Sequence, residues 1–416
     1  MRAIPVKDRN SKIPDPQVSA RKVEIACQTF RWDIIRSFLS GLIDSGWRIF
    51  ALLVVTRYFD GTSFAKALVP AAFTIGLLST PITLFYLPRL RLQTSKLCST
   101  NYMISGILFW VASLGVDSLW LFLGAGTAAA ALLAQQMPLL IHIYSTNYTS
   151  GLRGKRVAYA ISVGIAIAPV FGWFGGQLLE EDLSQFPILF RIMAVACILS
   201  GICINKVPSE ILQRCPSGNP LTHLSLAWKD KVFGCMLGMW MILGFGNLST
   251  MPLQIEYMTS DEYGINATNT QIAVAGIIIP STVRIFATSI WGHLFDAFNF
   301  FLVRAFTSAI QLAAILIFFF SDTMAGIYIG SVGYGLAMAG GNVNWSLWVT
   351  KFAPQGQESD YMTVHSFMTG VRGLVAPFIG FYMLNLISIQ SWATIGSLLV
   401  ALSIVLLFPI NRLARR

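Results

Sequence analysis

The chain has 416 residues, of which 55% are hydrophobic and only 12% charged, with a mean hydropathy of +0.65. A soluble domain carries roughly a quarter charged residues, so a water-soluble globular protein is excluded and lipid is the main solvent. The net charge of +10 does not point to nucleic acid, because the basic residues sit in alternate connections between apolar runs and form no patch.

Apolar runs close to the ~20 residues that a helix needs to cross a bilayer recur from Ile34 onward. Residues 1–32 are polar, contain Pro5, Pro14 and Pro16, and lack the apolar core of a signal peptide; they read as a cytoplasmic tail. Twelve helices are then expected near 33–57, 65–88, 97–116, 119–144, 155–179, 187–205, 230–257, 269–292, 300–320, 323–350, 364–387 and 391–411. A polar connection with Pro216, Gly218 and Pro220 separates the sixth from the seventh. The expected division is a tail over 1–32, a six-helix bundle over 33–205, a linker over 206–229, a second bundle over 230–411 and a tail over 412–416.

The two bundles are also related in sequence. Ala168-Pro169-x-x-Gly172 returns 208 residues later as Ala376-Pro377-x-x-Gly380, and the same offset sets Gln136 opposite Asn344 and Lys96 opposite Arg304. The fold class is therefore an all-α polytopic membrane protein, with twelve transmembrane helices in two pseudo-symmetric six-helix bundles.

Charge gives the orientation. With the N-terminus inside, Arg89, Arg91, Lys96, Arg153, Lys155, Arg156, Lys206, Lys229, Lys231, Arg304, Lys351 and Arg412 fall on the inner side. Only Arg57 and Lys66 fall outside, among Asp117, Glu180, Glu181, Asp261, Glu262 and Asp322. This asymmetry predicts cytoplasmic termini. Short loops suggest a multi-pass protein of a bacterial inner membrane.

Six helices, a cytoplasmic linker and six more helices resemble the major facilitator superfamily. Locally, Gly292-His-Leu-Phe-Asp296-Ala-Phe-Asn299 resembles that family's Gly-x-Leu-x-Asp-x-x-Gly loop signature. The resemblance implies that Gly292 permits close helix approach and that Asp296, at a helix end, meets the positive pole of another helix in a gating latch. Asn299 stands where the last glycine would be. Leu84 and Pro88 occupy the equivalent first-half positions, so that latch is degenerate. In the fifth helix, Gly164-x-x-x-Ala168-Pro169-x-x-Gly172 resembles a motif of proton-coupled drug exporters. The alternative is that proline and small residues simply kink the helix and let it pack tightly, as the copy in the eleventh helix suggests.

Charge at bilayer depth is costly unless it is paired or lines a watery cavity. Asp44 and Arg48 share one face of the first helix at i, i+4, either as a self-neutralising pair or as a protonatable switch with its partner. Arg284 has no acid at similar depth in its own helix, and its guanidinium suits a carboxylate or phosphate. Arg372 is placed to pair with Asp296, Glu358 or Asp360 in a gate, alongside Pro169 and Pro377. Arg36 and Arg191 read as headgroup contacts. Asn342, Asn344 and Trp345 in the glycine-rich tenth helix, Gln135 and Gln136 in the fourth, and Trp240 and Asn247 in the seventh are expected to line a polar, aromatic cavity.

The six cysteines and four histidines show no metal-ligand spacing, and no nucleotide loop or nucleophile constellation is present. No metal, cofactor, nucleic acid or enzymatic activity is expected. The favoured reading is a monomeric secondary transporter that moves a small organic anion or polar solute with a proton. Two others stay open: an exporter of drug-like amphiphiles, and a receptor or assembly protein that has kept the fold without transporting.

Overall fold

In lipid, every backbone N–H and C=O must be satisfied within its own segment, which leaves helices as the building unit for such a chain. The structure, a computed structural model, describes residues 16–212, 222–354 and 357–414. Among them, twelve membrane-length helices run in order. Helix α1 comprises Pro16–Ser45, a π-helical turn Gly46–Ala51 and Leu52–Arg57; α2 is Ser63–Tyr86, α3 Thr94–Ser113, and α4 Leu119–Ala134 with Gln136–Asn147. Then come α5 Ser150–Glu181, α6 Phe186–Asn205, and α7 Lys231–Thr250 with Leu253–Thr259. Helix α8 comprises Asn269–Ala273, a second π-helical turn Val274–Ile278 and Ile279–Ala297. The last four are α9 Phe300–Phe319, α10 Met324–Leu347, α11 Glu358–Met383 and α12 Ile389–Ala414. Nine of the described helices are long and apolar enough to span a bilayer by length and composition; α3, α10 and α11, rich in serine, threonine, asparagine or glycine, are the others.

Helix starts carry their own signals. Thr62, Ser118, Asp230, Asn299 and Thr323 each accept a backbone N–H of the following helix, and Thr268 forms a capping box with Gln271 at α8. Helix α1 begins at Pro16, well before the expected residue 33. Its early turns dock instead of trailing: Thr29 is buried and accepts from Asn147, and Gln28 donates to the Lys206 carbonyl. Residues 1–15 and 213–221 of the expected tail and linker lie outside the described residues. The described start of the linker packs against the first turn of α3, where the Thr94 and Ser95 amides donate to Glu210 and Ser209 at 3.0 and 2.8 Å.

The packing repeats on a shift of six helices. The principal pairs α1·α5, α1·α6, α2·α4, α3·α4 and α3·α6 recur as α7·α11, α7·α12, α8·α10, α9·α10 and α9·α12. The two seams between the halves, α2·α11 and α5·α8, exchange under the same shift. With no hydrophobic driving force between helices in lipid, close approach depends on small residues. At the α1·α5 crossing, a Cβ on Gly164 would stand 2.7 Å from the Ser37 carbonyl, and one on Gly41 would collide with the Gly164 carbonyl. Gly41→Leu should therefore destabilise the protein by about 1–3 kcal/mol through overpacking, read as a lower thermal midpoint of the purified protein. The same change at Gly238, whose Cβ position is open, should have little effect.

Candidate functional site

The α1·α5 crossing places the inner-facing side of α1 beside α5 and α8. Between them lies a hollow of ≈ 230 Å³ whose lining includes Arg36, Asp44, Arg48, Ala168, Ser281 and Arg284. Asp44 reaches Arg48 at 3.5 Å, with side-chain exposures of 71% and 30%. That distance is too long for a strong hydrogen bond, so the pair is wet and loosely held. The Nε atoms of Arg48 and Arg284 are buried without a partner among the described residues. The hollow thus combines three guanidinium groups and one carboxylate, and of the three Arg36 is already paired with Asp33. A larger hollow of ≈ 450 Å³ between α1 and α6 is lined almost wholly by apolar side chains such as Leu39 and Leu199, many of them exposed, and belongs to the lipid-facing surface.

The two halves are clamped at the end away from the termini. Lys66 donates to both carboxylate oxygens of Glu256 at 2.9 and 2.8 Å. Arg57 donates to Asn269 and to the Ala267 carbonyl, and Glu180 accepts the Asn269 amide, each at 2.5 Å. Phe64 and Phe378 add a ring contact at 5.3 Å. Along the α5·α8 seam, Gly172 and Gly176 face Ile277 and Ala273. On the terminal side of Ala168, Ile161, Gly164 and Ile165 of α5 line the hollow, and Tyr159, Phe286 and Ile290 are exposed.

Pro169 and Pro377 lie inside continuous helices. Their neighbouring small residues do packing work: Gly164 meets α1, Gly172 meets α8, and Gly373 and Gly380 meet Thr74 of α2 and Ser249 of α7.

The other expected cavity residues are only partly brought together. Gln135 donates to Ser79 and Gln136 to the Cys98 carbonyl, at 2.8 and 2.9 Å. Asn247 accepts from Gln311, buried Asn344 donates to Thr307, and Trp345 donates to Thr369. These groups hold helices of one bundle to each other, and none of them lines the charged hollow; Asn342 is exposed. Amides at bilayer depth satisfy neighbouring helices first.

The residues expected in the latch are not in contact in this structure. An added Cβ at Gly292 meets open space, so no helix approaches there. Asp296 is exposed at the end of α8, whereas Arg372 is buried and donates to the Trp240 carbonyl. Glu358 and Asp360, the other acids considered for Arg372, have side chains outside the described residues.

Arg36 is no headgroup contact either. It is 7% exposed, pairs with fully buried Asp33 at 2.7 Å, and donates to Ser37, Ser40, Tyr102 and Tyr144; Tyr144 donates to Asp33 at 2.8 Å. The i, i+3 spacing of Asp33 and Arg36 was the available signal.

A doubly repeated helical bundle, clamped at one end and charged at its central hollow, defines a polytopic membrane transporter. The chain belongs to the major facilitator superfamily, whose sequence pattern it matches over residues 34–377. By sequence, no curated protein matches it. Among solved structures, it is similar to a mutant form of the nucleoside transporter NupG, with a TM-score of 0.73 and 13% identity over 93% of this chain and 99% of that one. NupG itself gives a TM-score of 0.69 at 12% identity, over 94% and 99%. A bacterial homolog of the human lysosomal transporter Spinster, in an inward-facing and occupied conformation, gives 0.62 at 12% identity, over 96% and 97%. At these identities the likeness is one of fold.

Removing one partner of a buried ion pair leaves the other uncompensated. Asp33→Asn should lower stability by roughly 3–5 kcal/mol, and Asp33→Asn with Arg36→Met should recover part of it, as read from thermal midpoints. At the clamp, Lys66→Glu should lengthen the distance between spin labels at Ser63 and Asn385, and adding Glu256→Lys should restore it.

Proposed function

We propose that the protein transports a small organic anion, or a polar solute with an anionic group, together with a proton by alternating access. The observation that carries this reading is that Arg48 and Arg284 share one wet hollow with a single carboxylate, Asp44. Guanidinium groups bind carboxylate or phosphate through paired hydrogen bonds, and a hollow with excess positive charge favours such a ligand. Asp44 is the proton carrier. Its protonation releases Arg48, and the balance between the two openings shifts by the difference in energy of that interaction between them.

In this reading the units 33–205 and 230–411 rock about the α2·α11 and α5·α8 seams, joined by 206–229, with the prolines of α5 and α11 and the glycines of α10 supplying compliance. The positive loops put both termini in the cytoplasm, so the clamped end faces outward and the hollow faces in. A bacterial inner membrane and a monomeric unit complete the proposal.

A nucleoside, the cargo of NupG, is the second reading, favoured by fold likeness alone. A neutral base and ribose leave the Arg284 guanidinium unanswered, which ranks it below an anion. Drug export draws little support from the α5 motif, since Gly164 and Gly172 are occupied in helix packing.

The test begins with a thermal-shift screen of metabolites at two pH values and continues with the best ligand in proteoliposomes. Asp44→Asn should lose accumulation driven by a pH gradient while retaining exchange across the membrane. Arg284→Ala should lower transport roughly 10–100-fold, the cost of one charge-assisted hydrogen bond. Gradient-driven accumulation by Asp44→Asn removes the proton role, and unimpaired Arg284→Ala removes the anion anchor. A stoichiometric signal without exchange would make the protein a receptor.

A further inference from the structure

The second bundle holds another concentration of positive charge, apart from the central hollow. Arg304 of α9, Arg372 of α11 and His365 of α11 are 4%, 7% and 1% exposed. All three gather around the indole of Trp240 on α7. The two guanidinium carbons lie 4.2 and 6.0 Å from its ring centroid and the imidazole centroid 5.5 Å. Trp345 of α10 and Trp348 just beyond its end lie 5.2 and 5.1 Å from the imidazole.

The polar atoms of this cluster have almost nothing to bond. Arg372 gives one bond, to the Trp240 carbonyl. Nε and Nη1 of Arg304, Nε of Arg372, both nitrogens of His365 and the indole nitrogens of Trp240 and Trp348 are buried without a partner among the described residues. Guanidinium and indole nitrogens only donate. The cluster is therefore short of an acceptor and carries two like charges in a medium that screens them poorly.

The first bundle shows what is missing. Arg36 and Gly164 stand 208 residues before Gly244 and Arg372, so the repeat places a buried arginine at the corresponding crossing from the opposite helix; Arg372 packs against Gly244. Arg36 has Asp33 beside it. The residue 208 positions after Asp33 is Met241.

We propose that the second bundle binds a small oxyanion, of phosphate or carboxylate size, among Arg304, Arg372 and His365, which supplies the acceptor that Asp33 provides in the first. This site is independent of the transport reading above. Four helices contribute to the cluster, so the ion joins α7, α9, α10 and α11.

The full-length protein in detergent is titrated with sodium phosphate against sodium chloride at matched ionic strength. Phosphate should raise the thermal midpoint saturably, by roughly 3 °C at about 100-fold over Kd, and chloride should not. Arg304→Met with Arg372→Met should abolish the rise, and Arg284→Met should keep it. Where the double variant fails to fold, His365→Phe serves, with the phosphate midpoint moved several-fold upward. In a second arm, anionic phospholipid replaces phosphate; a response to lipid alone assigns the oxyanion to a headgroup. No saturable response to either, an equal response to chloride, persistence in the double variant, or loss in Arg284→Met alone each overturns the proposal.

Discussion

A guanidinium at bilayer depth has to find an acceptor or water, and much of the layout of this protein follows from how Arg36, Arg48, Arg284 and Arg57 are accommodated. Arg36 finds a carboxylate and a ring of hydroxyls contributed by α1, α3 and α4. Arg48 and Arg284 line a hollow at the seam between the halves. Arg57 finds Asn269 and the Ala267 carbonyl in the opposite half. These solutions differ in rigidity. The first fixes the interior of a bundle, the second leaves room for a solute, and the third holds two bundles together at one end.

The seam geometry gives these placements their mechanical meaning. Glycines let α1 and α5 touch backbone to backbone, which sets the side of α1 that looks into the hollow. Farther along α5, Gly172 meets the side chains of Ile277 and Ile278, and Gly176 meets Ala273 and the backbone of Thr270 and Asn269, all on α8. One helix therefore serves both as wall of the hollow and as part of the packed seam at the closed end. A change in its packing is felt in both places, as expected where interfaces pass between discrete arrangements.

Much of the fold was legible in the sequence, because lipid leaves few choices: long apolar runs become helices, and alternate basic connections define two sides. The repeat was legible through Pro169 and Pro377, and the Asp44 and Arg48 pair through its spacing. Partners across helices were another matter. Tyr102 and Tyr144 approach Arg36 from positions 66 and 108 residues away, a convergence no local pattern carries. By charge alone Arg372 suits Asp296, Glu358 or Asp360, yet it is buried and donates to the Trp240 carbonyl. The amides Gln135, Gln136, Asn247 and Asn344 looked like a cavity lining because they are polar in apolar helices. They are equally what helices use to bind each other, and that use prevailed.

The π-helical turns in α1 and α8 carry a further consequence. An α-helix advances about 100° per residue, and a π turn accommodates an extra residue, so it offsets the azimuth of everything beyond it from everything before. In α1 the turn, which contains Arg48, lies between Asp44 and Arg57, and in α8 it lies between Asn269 and Arg284. The faces that clamp the far end and the faces that present charge to the hollow are thereby phased separately on the same rod, so torsion at one need not be transmitted whole to the other.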